Sequence, residues 1–155
     1  MRVLVVDDQR VVREGLATII GSIDGLEVVG LAADGNEAIA MAGERAPDVV
    51  LMDLRMPQVD GVAATATIRE RYPGVRVVVL TTYADDESIM AALSAGATGY
   101  LTKDATKNDI RTALEAAAAG QSVLDPVVQA TLLEAAKSRP PATPRAGPLP
   151  DGLTE

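Results

Sequence analysis

Two stretches decide the fold: VLVVDD, residues 3–8, and VVLMD, residues 49–53. Each is a short apolar, β-branched run without polar alternation, the pattern of a strand buried on both faces, and each stops on carboxylate. Strands covered on both faces form a parallel sheet, and such sheets collect ligands in the crevice beyond their carboxyl ends. Asp7, Asp8 and Asp53 are therefore expected in one crevice. Three carboxylates that close repel one another at neutral pH, which makes a divalent cation the natural neutralising partner.

Further apolar runs recur outward from these two at intervals of roughly 20 to 25 residues, each followed by a helical pattern. The strands are expected at 2–6 (RVLVV), 26–31 (LEVVGL), 48–52 (DVVLM), 75–80 (VRVVVL) and 98–101 (TGYL). A stripe of Val11, Val12, Leu16, Ile19 and Ile20 predicts the first helix, and others follow at about 36–45, 60–71, 85–95 and 107–119. Gly96 and Gly120 stand where helices usually end. The repeat is a doubly wound α/β domain with a five-stranded parallel sheet. Its core should hold Leu4, Val6, Val29, Val50, Met52, Val77, Val79 and Leu80 from the strands, and Leu16, Ile20, Ile39, Ile68, Leu93 and Leu114 from the helices.

Beyond Gly120, DPVVQATLLEAAK at 125–137 places Asp before Pro at a helix start, with a stripe of Val128, Leu132 and Leu133. An extra C-terminal helix is expected there. From Arg139 onward the composition changes, with Pro140, Pro141, Pro144, Pro148 and Pro150 crowded into a stretch that has nothing to bury. The expected organisation is one domain over 1–120, a linker helix over 121–138 and a Pro-rich linker over 139–155.

Composition excludes several functions. The 155 residues contain no Cys and no His, which removes disulfides, the usual zinc sites and histidine kinase or phosphocarrier chemistry. A net charge of -8 argues against a nucleic-acid surface on this chain. The tail from Arg139 balances Arg139 and Arg145 against Asp151 and Glu155, so the acidic excess lies in the first 138 residues. No apolar stretch is long enough to span a bilayer and no signal pattern opens the chain, so a cytoplasmic location is expected.

Taken singly, the polar residues at the strand ends have ordinary readings: Asp7, Asp8 and Asp53 as turn residues, Asp60 as a helix cap, Thr81 and Thr82 as strand-end hydroxyls, Tyr100 as core, Lys103 as solvated. Together they fall on the same edge of the same sheet. VVDD at 5–8, LMDLRMPQVDG at 51–61, LTT at 80–82 and GYLTKD at 99–104 resemble the motifs of response-regulator receiver domains of two-component signalling. The resemblance covers residues 1 to about 120 and implies the flavodoxin-like strand order 2-1-3-4-5. It implies that Asp53 is the phosphoacceptor, with Mg²⁺ or Mn²⁺ held by Asp7, Asp8, Asp53 and the backbone carbonyl of Arg55. Thr81, the backbone of Thr82 and Lys103 would contact the phosphoryl group, and Thr81 and Tyr100 would form the switch.

The segment from 125 to the closing LPDGLTE is similar to the connection between receiver and LuxR-type helix-turn-helix domain in NarL/FixJ regulators. This implies a sensor histidine kinase as partner, a homodimer on activation, DNA contact only through a further domain, and no membrane partner. The chain is then not an enzyme beyond self-catalysed transfer to its own Asp and slow autodephosphorylation. An Asp-nucleophile phosphatase would want a second Asp two residues after the nucleophile, where Arg55 stands. A flavodoxin-type nucleotide binder would not put Asp7 and Asp8 in its first loop. The remaining rival is a receiver acting as a phosphorylation-independent dimerisation or docking module.

Overall fold

A computed structural model describes residues 1–56, 59–82 and 85–138. Pro57, Tyr83 and the Pro-rich tail from Arg139 lie outside the described residues. Within them the chain alternates β1 (Arg2–Val6), α1 (Arg10–Gly21), β2 (Glu27–Ala32), α2 (Gly35–Arg45), β3 (Val49–Met52) and α3 (Gly61–Arg71). It continues through β4 (Arg76–Thr81), α4 (Asp86–Ser94), β5 (Gly99–Thr102), α5 (Lys107–Ala118), β6 (Val123–Leu124) and α6 (Pro126–Ser138). All strand pairs are parallel, in the order β2-β1-β3-β4-β5-β6. The fold is flavodoxin-like. The expected five strands and the extra C-terminal helix are present, and β6 adds a sixth strand among the described residues.

The near-continuous Val and Leu of the strands feed two layers. Val3, Val5, Val49, Leu51, Val78 and Leu80 pack with Ile20 of α1 and Ile110, Ala113 and Leu114 of α5. On the other face Leu4, Val6, Val50, Met52 and Val77 pack with Ala38 and Ala42 of α2 and Ala64 and Ile68 of α3. The alanines let these helices approach the sheet closely at little cost in helix propensity. Short polar side chains set the helix starts: Asp34, Asp60 and Asp85 each accept from an N–H three residues on, and Thr106 with Asp109 forms a capping box. Gly96 and Gly120 end α4 and α5 with φ of +108° and +81°, conformations that only glycine adopts easily.

Four expected core residues are only half-buried: Val29, Leu16, Ile39 and Leu93. For Val29 the reason is the sheet edge. Among the described residues β2 pairs only with β1, and the register jumps from Val3↔Val28 to Leu4↔Gly30, leaving Val29 as the extra residue of a bulge. The Arg45 guanidinium covers this edge, donating to the Val29 carbonyl at 2.6 Å.

At the opposite edge, β6 pairs Val123 with Gly99 and Leu124 with Tyr100, and α6 then packs against α4 and β5. This builds a third apolar cluster of Leu54, Val79, Ile89, Ala92, Ala97, Tyr100 and Val128.

Candidate functional site

The carboxyl ends of β1 and β3 lie side by side, with Val6 opposite Met52 and the Asp53 N–H donating to the Val6 carbonyl at 3.0 Å. The next residues of each chain segment are therefore delivered to one point. Asp7, Asp8 and Asp53 each offer a carboxylate oxygen there, and these atoms lie within 4.8 Å of one another. Asp7 and Asp53 are buried, while Asp8 is exposed to solvent. Asp7 is fixed by the Gln9 N–H, which donates to its Oδ1 at 2.9 Å. Arg13 braces the same residue from α1, donating to its carbonyl at 2.8 Å.

β5 supplies the cation. The Lys103 N–H donates to the Thr81 carbonyl at 3.0 Å, and its Nζ reaches Asp7 Oδ2 at 2.7 Å and Asp53 Oδ1 at 3.8 Å. The ammonium thus leans toward Asp7, and Asp53 is the less compensated acid. Burial pushes the Asp53 carboxyl up to about 6. Lys103 pulls the other way, Asp7 and Asp8 raise it further, and the Leu54 N–H favours the ionised form. A carboxylate desolvated among like charges has a standing demand for positive charge. All-oxygen donors with one exposed member suit a hard divalent ion that keeps part of its water shell, so the residues present fit Mg²⁺.

Gly61 explains the end of LMDLRMPQVDG. A Cβ on Gly61 would lie 2.1 Å from the Asp53 carbonyl oxygen, and the Gly61 N–H donates to the Leu54 carbonyl at 2.8 Å. The start of α3 therefore packs directly on the backbone that carries Asp53, and any side chain at 61 would displace it. In the sequence the signal for this glycine is its place one residue after the Asp60 cap.

Thr81 is fully buried at the end of β4, while Thr82 beside it is exposed. The Arg55 side chain reaches the start of α4, donating to Ser88 Oγ at 3.4 Å. Tyr100 is fully buried in the third cluster, and its hydroxyl is pushed well up, first by burial and then by the Asp85 carboxylate. Asp7, Asp8 and Asp53 are thus brought within 4.8 Å of one another, Lys103 reaches Asp7 and Asp53, and Thr81 and Tyr100 lie on the neighbouring strands. Arg13 was not singled out by the sequence, Gly61 stood there only as the last residue of a motif, and Asp125 only as the start of the extra helix.

The fold and this crevice together define a receiver-type α/β domain. Residues 3–115 match the family described as response regulator receiver domain, and the chain belongs to that family. Response regulator protein VraR of Staphylococcus aureus is 39% identical over 139 residues, which are 90% of this chain and 66% of VraR. A two-component response regulator of the LuxR family from Aurantimonas sp. SI85-9A1 superposes with a TM-score of 0.84 at 34% identity, covering 88% of this chain and 98% of that one. The isolated receiver domain of RcsB from Salmonella enterica serovar Typhimurium, solved in the presence of the phosphomimetic BeF₃⁻, gives 0.76 at 25% identity, covering 84% and 97%. The chain is a receiver domain related to LuxR-family response regulators. No helix among the described residues is long and apolar enough to cross a membrane.

Proposed function

We propose that this receiver accepts a phosphoryl group on Asp53 from a sensor histidine kinase. The observation that carries the reading is the convergence of Asp7, Asp8 and Asp53 within 4.8 Å, with Lys103 Nζ 3.8 Å from Asp53. With a carboxyl value of about 6, Asp53 is mostly ionised at neutral pH and needs no base. Its oxygen attacks phosphorus, the bond from phosphorus to the donor's imidazole nitrogen breaks, and the electron pair leaves with that nitrogen.

Asp7, Asp8, Asp53 and the backbone carbonyl of Arg55 would hold Mg²⁺ or Mn²⁺, which when bound supplies charge neutralisation for the transferred oxygens. Lys103 supplies a second positive charge from the β5 side. Thr81 and the backbone N–H of Thr82 donate to the phosphoryl oxygens from β4. The added charge and acceptor atoms then draw Thr81 toward Asp53, and Tyr100 repacks, which shifts the population of the α4–β5 face between two packings.

In the parent regulator the output would be transcription, through a LuxR-type DNA-binding domain that follows the 121–138 linker helix and the Pro-rich linker at 139–155, with a homodimer as the active form. Incubation with Mg²⁺ and acetyl phosphate or beryllofluoride tests the reading by intact mass. An adduct that maps to Asp53 and is absent from Asp53→Asn is expected, and Thr81→Ala should take the adduct without changing the α4–β5 face. A wild-type protein with no mass shift would instead be a phosphorylation-independent docking module.

A further inference from the structure

The α4–β5 face, where the switch residue Tyr100 lies, is already occupied in this chain. Val128 of α6 is fully buried in the same cluster as Tyr100, Ile89 and Ala92, with Leu124 and Leu132 packed against it. Polar contacts fix the same junction. Asp125 Oδ2 accepts from the Thr102 N–H at 3.2 Å and shares the Thr102 hydroxyl with Asp104, while Oδ1 accepts from the Val127 N–H at 2.8 Å. One carboxylate thus ties the end of β5 to the first turn of α6. The Asp125 N–H adds a bond to the Tyr100 carbonyl at 3.2 Å.

Both anchors adjoin the phosphorylation site. Thr102 immediately precedes Lys103, and Tyr100 lies two residues further back on the same strand. An open cleft of about 440 Å³ is lined by Thr82, Lys103 and Asp104 on the site's side and by Val127 on the helix side. The start of α6 therefore borders the same cleft as Lys103.

We propose that α6 is an intramolecular ligand of the α4–β5 face, and that phosphorylation of Asp53 releases it. The inference rests on the reading of Asp53 given above. Lys103 now sits 2.7 Å from Asp7 and 3.8 Å from Asp53. A phosphoryl group on Asp53 draws the ammonium away from Asp7, and the pull falls on the residue next to Thr102, a donor to Asp125. Thr81 turning toward the phosphoryl oxygens opens space for the Tyr100 ring, and a ring that moves leaves the cluster under Val128 less well filled. Both changes weaken the hold on the same helix. Coupling of this kind is reciprocal, so a chain whose α6 is already loose must bind the phosphoryl group, or its mimic, more tightly.

Hydrogen exchange of the full chain with Mg²⁺, with and without beryllofluoride, tests this, with the Asp53 adduct followed in parallel by mass. Amides of residues 127–137 are expected to exchange about fivefold or more faster in the adduct, the lower end of measured allosteric couplings, with α1 unchanged. Asp125→Ala and Val128→Asp should each speed the same amides without beryllofluoride and tighten its apparent affinity. Asp125→Ala keeps every apolar core residue, so it remains informative where Val128→Asp fails to fold. An adduct at Asp53 that leaves α6 exchange unchanged or slower overturns the release and leaves the receiver reading intact. Absence of any adduct overturns both.

Discussion

The acidic crevice and the α4–β5–α6 face are built on neighbouring ends of the same sheet, yet they are specified in opposite ways. In the crevice single atoms decide: one Nζ at 2.7 Å from one carboxylate and 3.8 Å from another, and one glycine with no room for a Cβ. On the face, seven buried apolar residues share most of the work, beside one Asp125 carboxylate that ties α6 to β5. Chemistry that transfers a group needs fixed charges at fixed places, whereas a response that moves a helix needs a surface with more than one acceptable packing. Damage to the crevice should therefore be abrupt, and damage to the face graded.

The sharpest way to break that contrast is Lys103→Ala. Losing the ammonium removes an interaction worth about 4 kcal/mol at an effective dielectric near 20, so apparent beryllofluoride affinity should fall about a hundredfold or more. A titration in Mg²⁺ that shows less than tenfold loss would mean the crevice is as tolerant as the face. Next in size is Asp53→Asn without divalent ion. The folded-state value near 6 lies above the ordinary carboxylate value, so the folded domain holds this proton more tightly than the unfolded chain. The penalty of the ionised form is complete above pH 6 and disappears as pH falls toward 4. At pH 7.5 the variant should be more stable by about 3 kcal/mol, with the gain gone near pH 4, as measured by denaturant midpoints across pH.

Gly61→Ala asks whether the crevice tolerates a single methyl. The close approach to the Asp53 carbonyl predicts a loss of about 1–3 kcal/mol in thermal or denaturant unfolding, with weaker adduct formation because Asp53 must shift. The smallest effect is kinetic. Arg55→Ala with Thr82→Ala removes the side chains two residues after Asp53 and one residue after Thr81 and should shorten the phosphoryl lifetime severalfold, read by loss of the adduct with time. An unchanged lifetime would mean that water reaches Asp53 by another path.

Much of this was legible because the signal was redundant. Each of the five expected strands was bounded by its own apolar run and differed from expectation by at most a residue at either end, and Asp60 and Asp85 proved to be caps at the expected helix starts. Asp7, Asp8 and Asp53 could be placed together because a parallel sheet brings all strand ends to one edge. What stayed hidden depended on neighbours. A run of Val reads the same in a central strand as in an edge strand, so nothing in LEVVGL announced that Val29 would sit on a bulge at the sheet's margin. Val123–Leu124 is too short to show any period, and its pairing with β5 is a tertiary fact. Tyr100 was picked out as a switch, but its cover came from Val128, twenty-eight positions later in a segment read as a linker.

β6 has one more consequence, which concerns growth of the sheet rather than signalling. An open strand edge is a template on which another chain can add itself, and β2 is blunted by a bulge and by Arg45. On the other side β6 is only two residues long, and Pro126, one residue past Asp125, has no N–H to offer a further partner. The short strand that anchors α6 is also a stop codon for the sheet: it satisfies β5 and leaves too little backbone for anything to be written after it.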